Sequence, residues 1–122
     1  MKYIIMMFGD QASMLERRSL EWAREMVDFM LQLNADLTSS GELVMAEGLA
    51  DATQARTVDF KNGMPVVTDG PFAESKESLA GYWIVDVENE SRALEIAKHV
   101  VSFTQGPIEV RQVMDKPPNF DE

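Results

Sequence analysis

Four ionisable side chains are crowded into residues 69–77, whose sequence is Asp-Gly-Pro-Phe-Ala-Glu-Ser-Lys-Glu. Asp69 precedes a Gly-Pro pair, a turn sequence in which glycine permits positive φ and proline fixes the dihedral that follows. Glu74 and Glu77 flank Lys76, so these three side chains could bind an anionic or hydroxylated ligand. Two structural alternatives stand beside this one. Asp69 could form an Asx-turn with the backbone, and the other three could form exposed ion pairs.

Side chains from other parts of the chain could complete a site for acid–base chemistry. Such chemistry needs a group whose pKa has been moved towards neutral pH by burial or by a neighbouring charge. Asp69 or Glu47 could act as the base. Tyr82, Lys76 or Arg111 could act as the acid or hold an anion. The candidate ligand-binding residues are therefore Glu47, Asp69, Glu74, Lys76, Glu77, Tyr82 and Arg111, and Asp69 and Tyr82 are also the candidate catalytic residues.

Other kinds of catalytic centre have no counterpart in this sequence. The chain contains no cysteine, which excludes thiolate nucleophiles, thiolate metal sites and disulfides. It has no glycine-rich phosphate loop, no Ser-His-Asp order and no His-x-x-x-His spacing, so we expect neither a cofactor nor a metal. The single histidine, His99, falls near the end of a predicted helix, where a donor or cation interacts favourably with the helix dipole.

The composition is that of one globular domain. The chain has 122 residues, of which 45% are hydrophobic and 26% charged, and this suffices to bury a core without disulfides. We predict a single domain over residues 1–115 and a polar tail over 116–122. The net charge of −10 repels nucleic acid and anionic membranes. No segment approaches the roughly 20 apolar residues of a membrane-spanning helix, so we expect a soluble, cytoplasmic protein.

The spacing of the apolar residues predicts the elements that position these side chains. One helix is predicted at about 19–39, and a second follows a cap at Asn89 or Ser91 and ends at 105–107. Strands are predicted at 3–8, 43–49, 55–60, 64–67, 81–87 and 108–113. Asn62-Gly63 predicts a two-residue hairpin between the third and fourth strands. This order is a βαββαβ split pattern with an inserted hairpin, an α+β fold.

One face of the predicted sheet has no cover. Two helices can cover only one face of an antiparallel sheet, yet strands 3–8 and 81–87 are apolar on both faces. A second copy packed on the remaining face would bury it about a two-fold axis. We therefore expect a homodimer.

Segment 69–77, followed closely by Gly81-Tyr82, resembles the DGPF-type domain of the YCII-related proteins. Further positions that fit these sequences are Tyr3, Gly41, 47–49 and 108–111. The resemblance implies a ferredoxin-like fold that dimerises into an α+β barrel, with a ligand or active site between the sheet and loop 69–77. Genes for such proteins often lie beside those for alternative sigma factors. The resemblance therefore implies either a small-molecule enzyme or an accessory to transcription control that contacts a transcription-related protein.

The chain departs from the characterised YCII-related enzymes at one important position. Aromatic dehydrochlorinases of this kind use a His–Asp pair whose histidine lies on the first helix, but the corresponding region here holds Met26, Phe29 and Met30. The resemblance therefore favours a homodimeric ligand-binding or regulatory accessory protein. The alternative is a small cofactor-independent lyase or isomerase that uses carboxylates on an aromatic or hydroxylated metabolite.

Overall fold

The computed structural model describes residues 1–9, 18–70 and 78–120, in which two helices and six strands follow one another. In chain order they are β1 (Lys2–Phe8), α1 (Leu20–Ser39), β2 (Leu43–Gly48), a 3₁₀ turn (Ala52–Gln54), β3 (Arg56–Lys61), β4 (Met64–Asp69), β5 (Leu79–Asp86), α2 (Glu90–Thr104) and β6 (Ile108–Gln112). Neither helix in these ranges has the length and apolar character needed to cross a membrane.

Four of the strands form one antiparallel sheet in the order β2-β5-β1-β6. The first and last strands of the chain are therefore neighbours, and each helix connects strands that are not adjacent in the sheet. This topology confirms the predicted α+β fold of ferredoxin-like type with an inserted hairpin. In the central row, Ile5 on β1 lies opposite Trp83 on one side and Val110 on the other.

The core lies between the helices and one face of this sheet. Alternation along β1 and β5 sends every second side chain to that face, as predicted for β5. The helices meet them with residues spaced three or four apart. The buried core consists of Tyr3, Ile5, Trp83, Val85 and Val87 from the strands, Leu33 and Leu37 from α1, and Ala93, Ile96, Ala97 and Val100 from α2.

Local sequence explains where the helices begin and end. Ser19 accepts a hydrogen bond from the Trp22 N–H at the start of α1, and Asn89 accepts one from the Arg92 N–H at the start of α2. These caps satisfy N–H groups that have no partner within the helix. The helix α2 ends at Gln105, which adopts the left-handed conformation with φ +58.

The hairpin is confirmed at the predicted turn. Asn62 and Gly63 have φ of +53 and +78, as a type I′ turn requires, and they join β3 to β4 in a separate two-stranded sheet. Gly70 closes the base of the hairpin through its N–H, which donates to the Ala55 carbonyl at 2.7 Å. Val58 and Phe60 on β3 are 67% and 70% exposed.

The second face of the four-stranded sheet carries no helix among the described residues. Its central side chains are Ile4 and Met6 from β1 and Tyr82 and Ile84 from β5, all of which are half-buried. Both faces of the two central strands are thus apolar, as the sequence predicted. We call this second surface the open face of the sheet.

Candidate ligand pocket

A pocket of about 490 Å³ lies between α1 and the sheet, beside the strands β2 and β5. Its volume falls within the range of about 300–1,000 Å³ that is typical of small-molecule sites. The helix contributes residues between Ala23 and Asn34, and the strands contribute Ala46 to Gly48 and Leu79 to Trp83. The pocket is on the helix side of the sheet, opposite the open face.

The pocket exists because two glycines face each other where β2 and β5 pair. Gly48 and Gly81 are cross-strand partners, so neither strand sends a side chain towards α1 at this level. A Cβ on Gly81 would lie 3.0 Å from the Glu47 carbonyl oxygen, whereas a Cβ on Gly48 would meet nothing within 4 Å. Glycine at 81 thus lets the backbone of β2 approach closely, and at 48 it leaves space open.

The walls of the pocket are mainly apolar. Met7, Met26 and Met30 line it together with Trp83. Unbranched thioether side chains adapt their shape to irregular ligands and make favourable contacts with aromatic rings. Met26 and Met30 come from the helix segment in which the resemblance predicted a histidine in related enzymes, and the described lining contains no imidazole.

One side-chain hydrogen bond is built into the wall. The indole Nε1–H of Trp83 donates to Oδ1 of Asn34 at 2.8 Å, and both residues line the pocket. Asn34 is not among the candidate residues predicted from the sequence. A signal for it exists, because this amide lies between Leu33 and Leu37 on the side of α1 that packs on the core.

Three of the candidate residues lie on the open face. The alternation of β5 places Tyr82 opposite Trp83, and Glu47 is its cross-strand partner on β2. The Tyr82 hydroxyl donates to the Met45 sulfur at 3.5 Å. Arg111 on β6 lies on the same face and contacts Glu109 at 3.2 Å. Glu47 and Tyr82 thus border the pocket through their strands, while their side chains point away from it.

The remaining candidates are not brought together in the described structure. Asp69 ends β4, its side chain is 93% exposed, and its carboxylate is 3.9 Å from the guanidinium of Arg56 on the paired strand. The following residue has φ +96, as expected for the Gly-Pro turn. Glu74, Lys76 and Glu77 lie outside the described residues, as does the rest of 71–77.

His99 belongs to a row of rings contributed by the two helices. Its ring centre is 5.1 Å from that of Phe29, and Phe103 stacks on both Phe29 and Trp22 at 4.8 and 5.6 Å. The guanidinium of Arg18 lies 4.9 Å from the Trp22 ring centre. His99 is exposed and is not among the described residues that line the pocket.

An ion pair that sequence reasoning missed fixes the start of β2 against α2. The Nε and Nη2 groups of Arg92 each donate to one carboxylate oxygen of Glu42 at 2.8 Å. The Ser40 hydroxyl donates to the same carboxylate at 2.7 Å. The hydrogen bonds from Arg92 lower the pKa of Glu42 from 4.5 to about 2, against the opposing effect of burial. The two residues are 50 positions apart, and no local pattern announces their contact.

Comparison with known proteins agrees with this architecture. The family model of the YCII-related domain matches residues 1–117. The chain is also similar to an uncharacterized protein of Rhizobium meliloti (strain 1021), with 29% identity over 113 residues that cover 91% of this chain and 90% of the relative. The match extends over both helices and all six described strands. The chain therefore belongs to the family of YCII-related domains.

Proposed function

We propose that the protein is a homodimeric accessory protein that binds a small molecule between α1 and the strands β2 and β5. The observation that carries this proposal is the pocket of about 490 Å³, lined mainly by apolar side chains and held open by Gly48 and Gly81. A site of this size and lining recognises a ligand by shape and by exclusion of water.

The positions of the candidate catalytic groups favour binding over acid–base catalysis. Such catalysis needs a general acid or base within reach of the bound molecule. Asp69 is at the base of the hairpin and almost fully exposed, and the Tyr82 hydroxyl is engaged with Met45 on the open face. Both groups thus lie outside the apolar interior of the pocket.

The open face supports the dimer in this proposal. Its centre is a half-buried apolar surface formed by Ile4, Met6 and Ile84. Its edges carry charges of both signs, including Glu47 on β2 and Arg111 on β6. An apolar centre with a charged rim is the usual composition of a protein interface, and two copies would bury the centre symmetrically.

The regulatory part of the proposal is contact with a transcription-related protein, in keeping with alternative sigma factors as functional neighbours. Its support is the similarity of segment 69–77 and of Gly81-Tyr82 to DGPF-type sequences. In this scheme, the strands β2 and β5, which line the pocket, would transmit to the partner protein whether a ligand is bound.

Native mass spectrometry of the freshly purified protein tests the proposed binding. We expect a dimer that retains a small apolar molecule from the host, or that takes up the neutral dye Nile red. Gly48→Leu should abolish this binding while preserving the fold, because the new side chain enters space in which a Cβ meets nothing within 4 Å.

Gly106→Leu is the matched control. A Cβ on Gly106 also meets nothing within 4 Å, but this glycine follows α2 and does not line the pocket. The control should bind as the unaltered protein does. Equal retention of dye or ligand by Gly48→Leu and the unaltered protein would contradict the proposed site.

A further inference from the structure

The hydrogen bond between Trp83 and Asn34 determines what the pocket offers to a ligand. The indole N–H can only donate, so the oxygen of the Asn34 amide must face it, in agreement with the Oδ1 contact at 2.8 Å. The other branch of the amide is an NH₂ group with two hydrogens. This Nδ2 donates to no atom of the described residues, and Asn34 lines the pocket in a half-buried position.

Anionic ligands find no counter-charge in the described lining. Glu47 and Asp51 are the two charged residues in the described lining. Glu47 points to the open face, and the Asp51 carboxylate accepts hydrogen bonds from the N–H and hydroxyl of Thr53 at 3.1 and 2.8 Å. A bound anion would lose its hydration against an apolar wall without an opposite charge to replace it.

We propose that the pocket selects a largely apolar molecule that carries a hydrogen-bond acceptor, such as a ketone or ether oxygen, and no negative charge. The acceptor receives a hydrogen bond from Nδ2 of Asn34, and the apolar body packs against Trp83 and the methionines. This inference rests on the proposed binding function and specifies the chemistry of the ligand.

Three probes of similar shape separate these requirements. Methyl naphthyl ketone is uncharged and carries a hydrogen-bond acceptor. Isopropylnaphthalene is uncharged and carries no acceptor, and naphthoate is an anion. All three are substituted at the same ring carbon and are titrated by calorimetry at neutral pH. For the unaltered protein we expect the ketone to bind at least about tenfold more tightly than naphthoate, because the anion must be desolvated.

The contribution of Asn34 is measured as a change in the ketone-to-hydrocarbon affinity ratio. Asn34→Leu removes the amide, and Asn34→Asp keeps an oxygen for the Trp83 N–H while it removes the NH₂ donor. In both variants the ratio should fall by about fivefold, the usual net effect of one hydrogen bond. Gln32→Leu is the control, since this amide lies on the exposed side of the same helix and pairs with Asp36.

The outcomes distinguish this inference from the proposed function. If all three probes bind equally, the Asn34 variants change nothing and Gly48→Leu still abolishes binding, the pocket stands and the donor assignment is wrong. If naphthoate matches the ketone, selection against a negatively charged ligand is wrong. If no probe binds the unaltered protein while Nile red or a host molecule still does, the inference fails and the proposed function stands; if none of them binds, both fail. Thermal unfolding curves establish that each variant is folded.

Discussion

At the scale of single residues, the described polar contacts contribute mainly to stability. Glu42 is the clearest case, because its side chain is 17% exposed and bonded to both donors of the Arg92 fork. Glu42 directly precedes β2, and Arg92 lies in the first turn of α2. The pair therefore fixes the position of the edge strand that borders the pocket relative to α2. A paired carboxylate in this position makes stability depend on pH.

We expect Glu42→Gln to lower the free energy of unfolding by about 1–2 kcal/mol at neutral pH, a value reduced for the screening of the partly exposed Arg92. The pKa of Glu42 is lowered from 4.5 to about 2 in the folded protein, so its contribution is complete above pH 4.5 and is lost as the pH falls towards 2. Urea unfolding should show that the difference in the free energy of unfolding between the unaltered protein and Glu42→Gln becomes smaller as the pH falls through this range.

Glu95→Gln is the control for this measurement. Glu95 also approaches Arg92, at 3.6 Å, but its side chain is 68% exposed. Its substitution should change the free energy of unfolding by less than ~0.5 kcal/mol at any of these pH values. An equal effect of the two substitutions would contradict the role given to Glu42.

The two glycines of the pocket predict opposite responses to the same substitution. Gly81→Ala should destabilise the fold by about 1–3 kcal/mol, because the new Cβ would meet the backbone of β2 at 3.0 Å. Gly48→Ala should be neutral or slightly stabilising, since its Cβ has open space and alanine loses less entropy on folding. Chemical denaturation of the two variants side by side checks this expectation.

At the scale of elements, the β3–β4 hairpin stands apart from the rest of the fold. It forms its own two-stranded sheet, and an isolated hairpin is at best marginally stable in water. The four-stranded sheet, by contrast, packs one face on both helices. The two sheets should therefore open independently.

We expect the backbone amides of β3 and β4 to exchange hydrogen faster than those of β1 and β5. Gly63→Ala should increase exchange in the hairpin alone, because alanine at φ +78 costs about 1 kcal/mol. Hydrogen exchange read by mass spectrometry gives both results. Equal acceleration in β1 and β5 would mean that the hairpin and the main sheet unfold as one unit.

At the scale of the whole molecule, association must overcome charge repulsion. Each copy carries a net charge of −10, so two copies repel each other, whereas burial of the proposed interface would favour their association. Added salt screens the repulsion more than it weakens apolar burial. The proposed dimer should therefore become tighter as the salt concentration rises.

Ile84→Lys tests the surface proposed to form the dimer. It places a charge at the half-buried centre of the open face and should give monomers in analytical ultracentrifugation. Val58→Lys is the control on the exposed hairpin and should leave the dimer intact. Dissociation by Val58→Lys alone would assign the interface to the hairpin and contradict the proposed one.

Sequence predicted the features that depend on neighbouring residues. The Asn62-Gly63 turn, the Asn89 cap and the alternation of β5 are local, because the backbone conformation at each position is set by residues a few places away. The pocket is not local. It depends on the register that sets Gly48 opposite Gly81, and Asn34 gains its role only when α1 packs over Trp83.

The two tryptophans lie on different sides of α1. Trp83 is part of the pocket wall, with its indole N–H held by Asn34, whereas Trp22 contacts Arg18 and Phe103 and is not among the pocket-lining residues. A bound molecule would touch the first ring and leave the second unchanged. The protein thus contains an optical reporter of occupancy together with an internal reference, and its intrinsic fluorescence could follow ligand entry without any attached label.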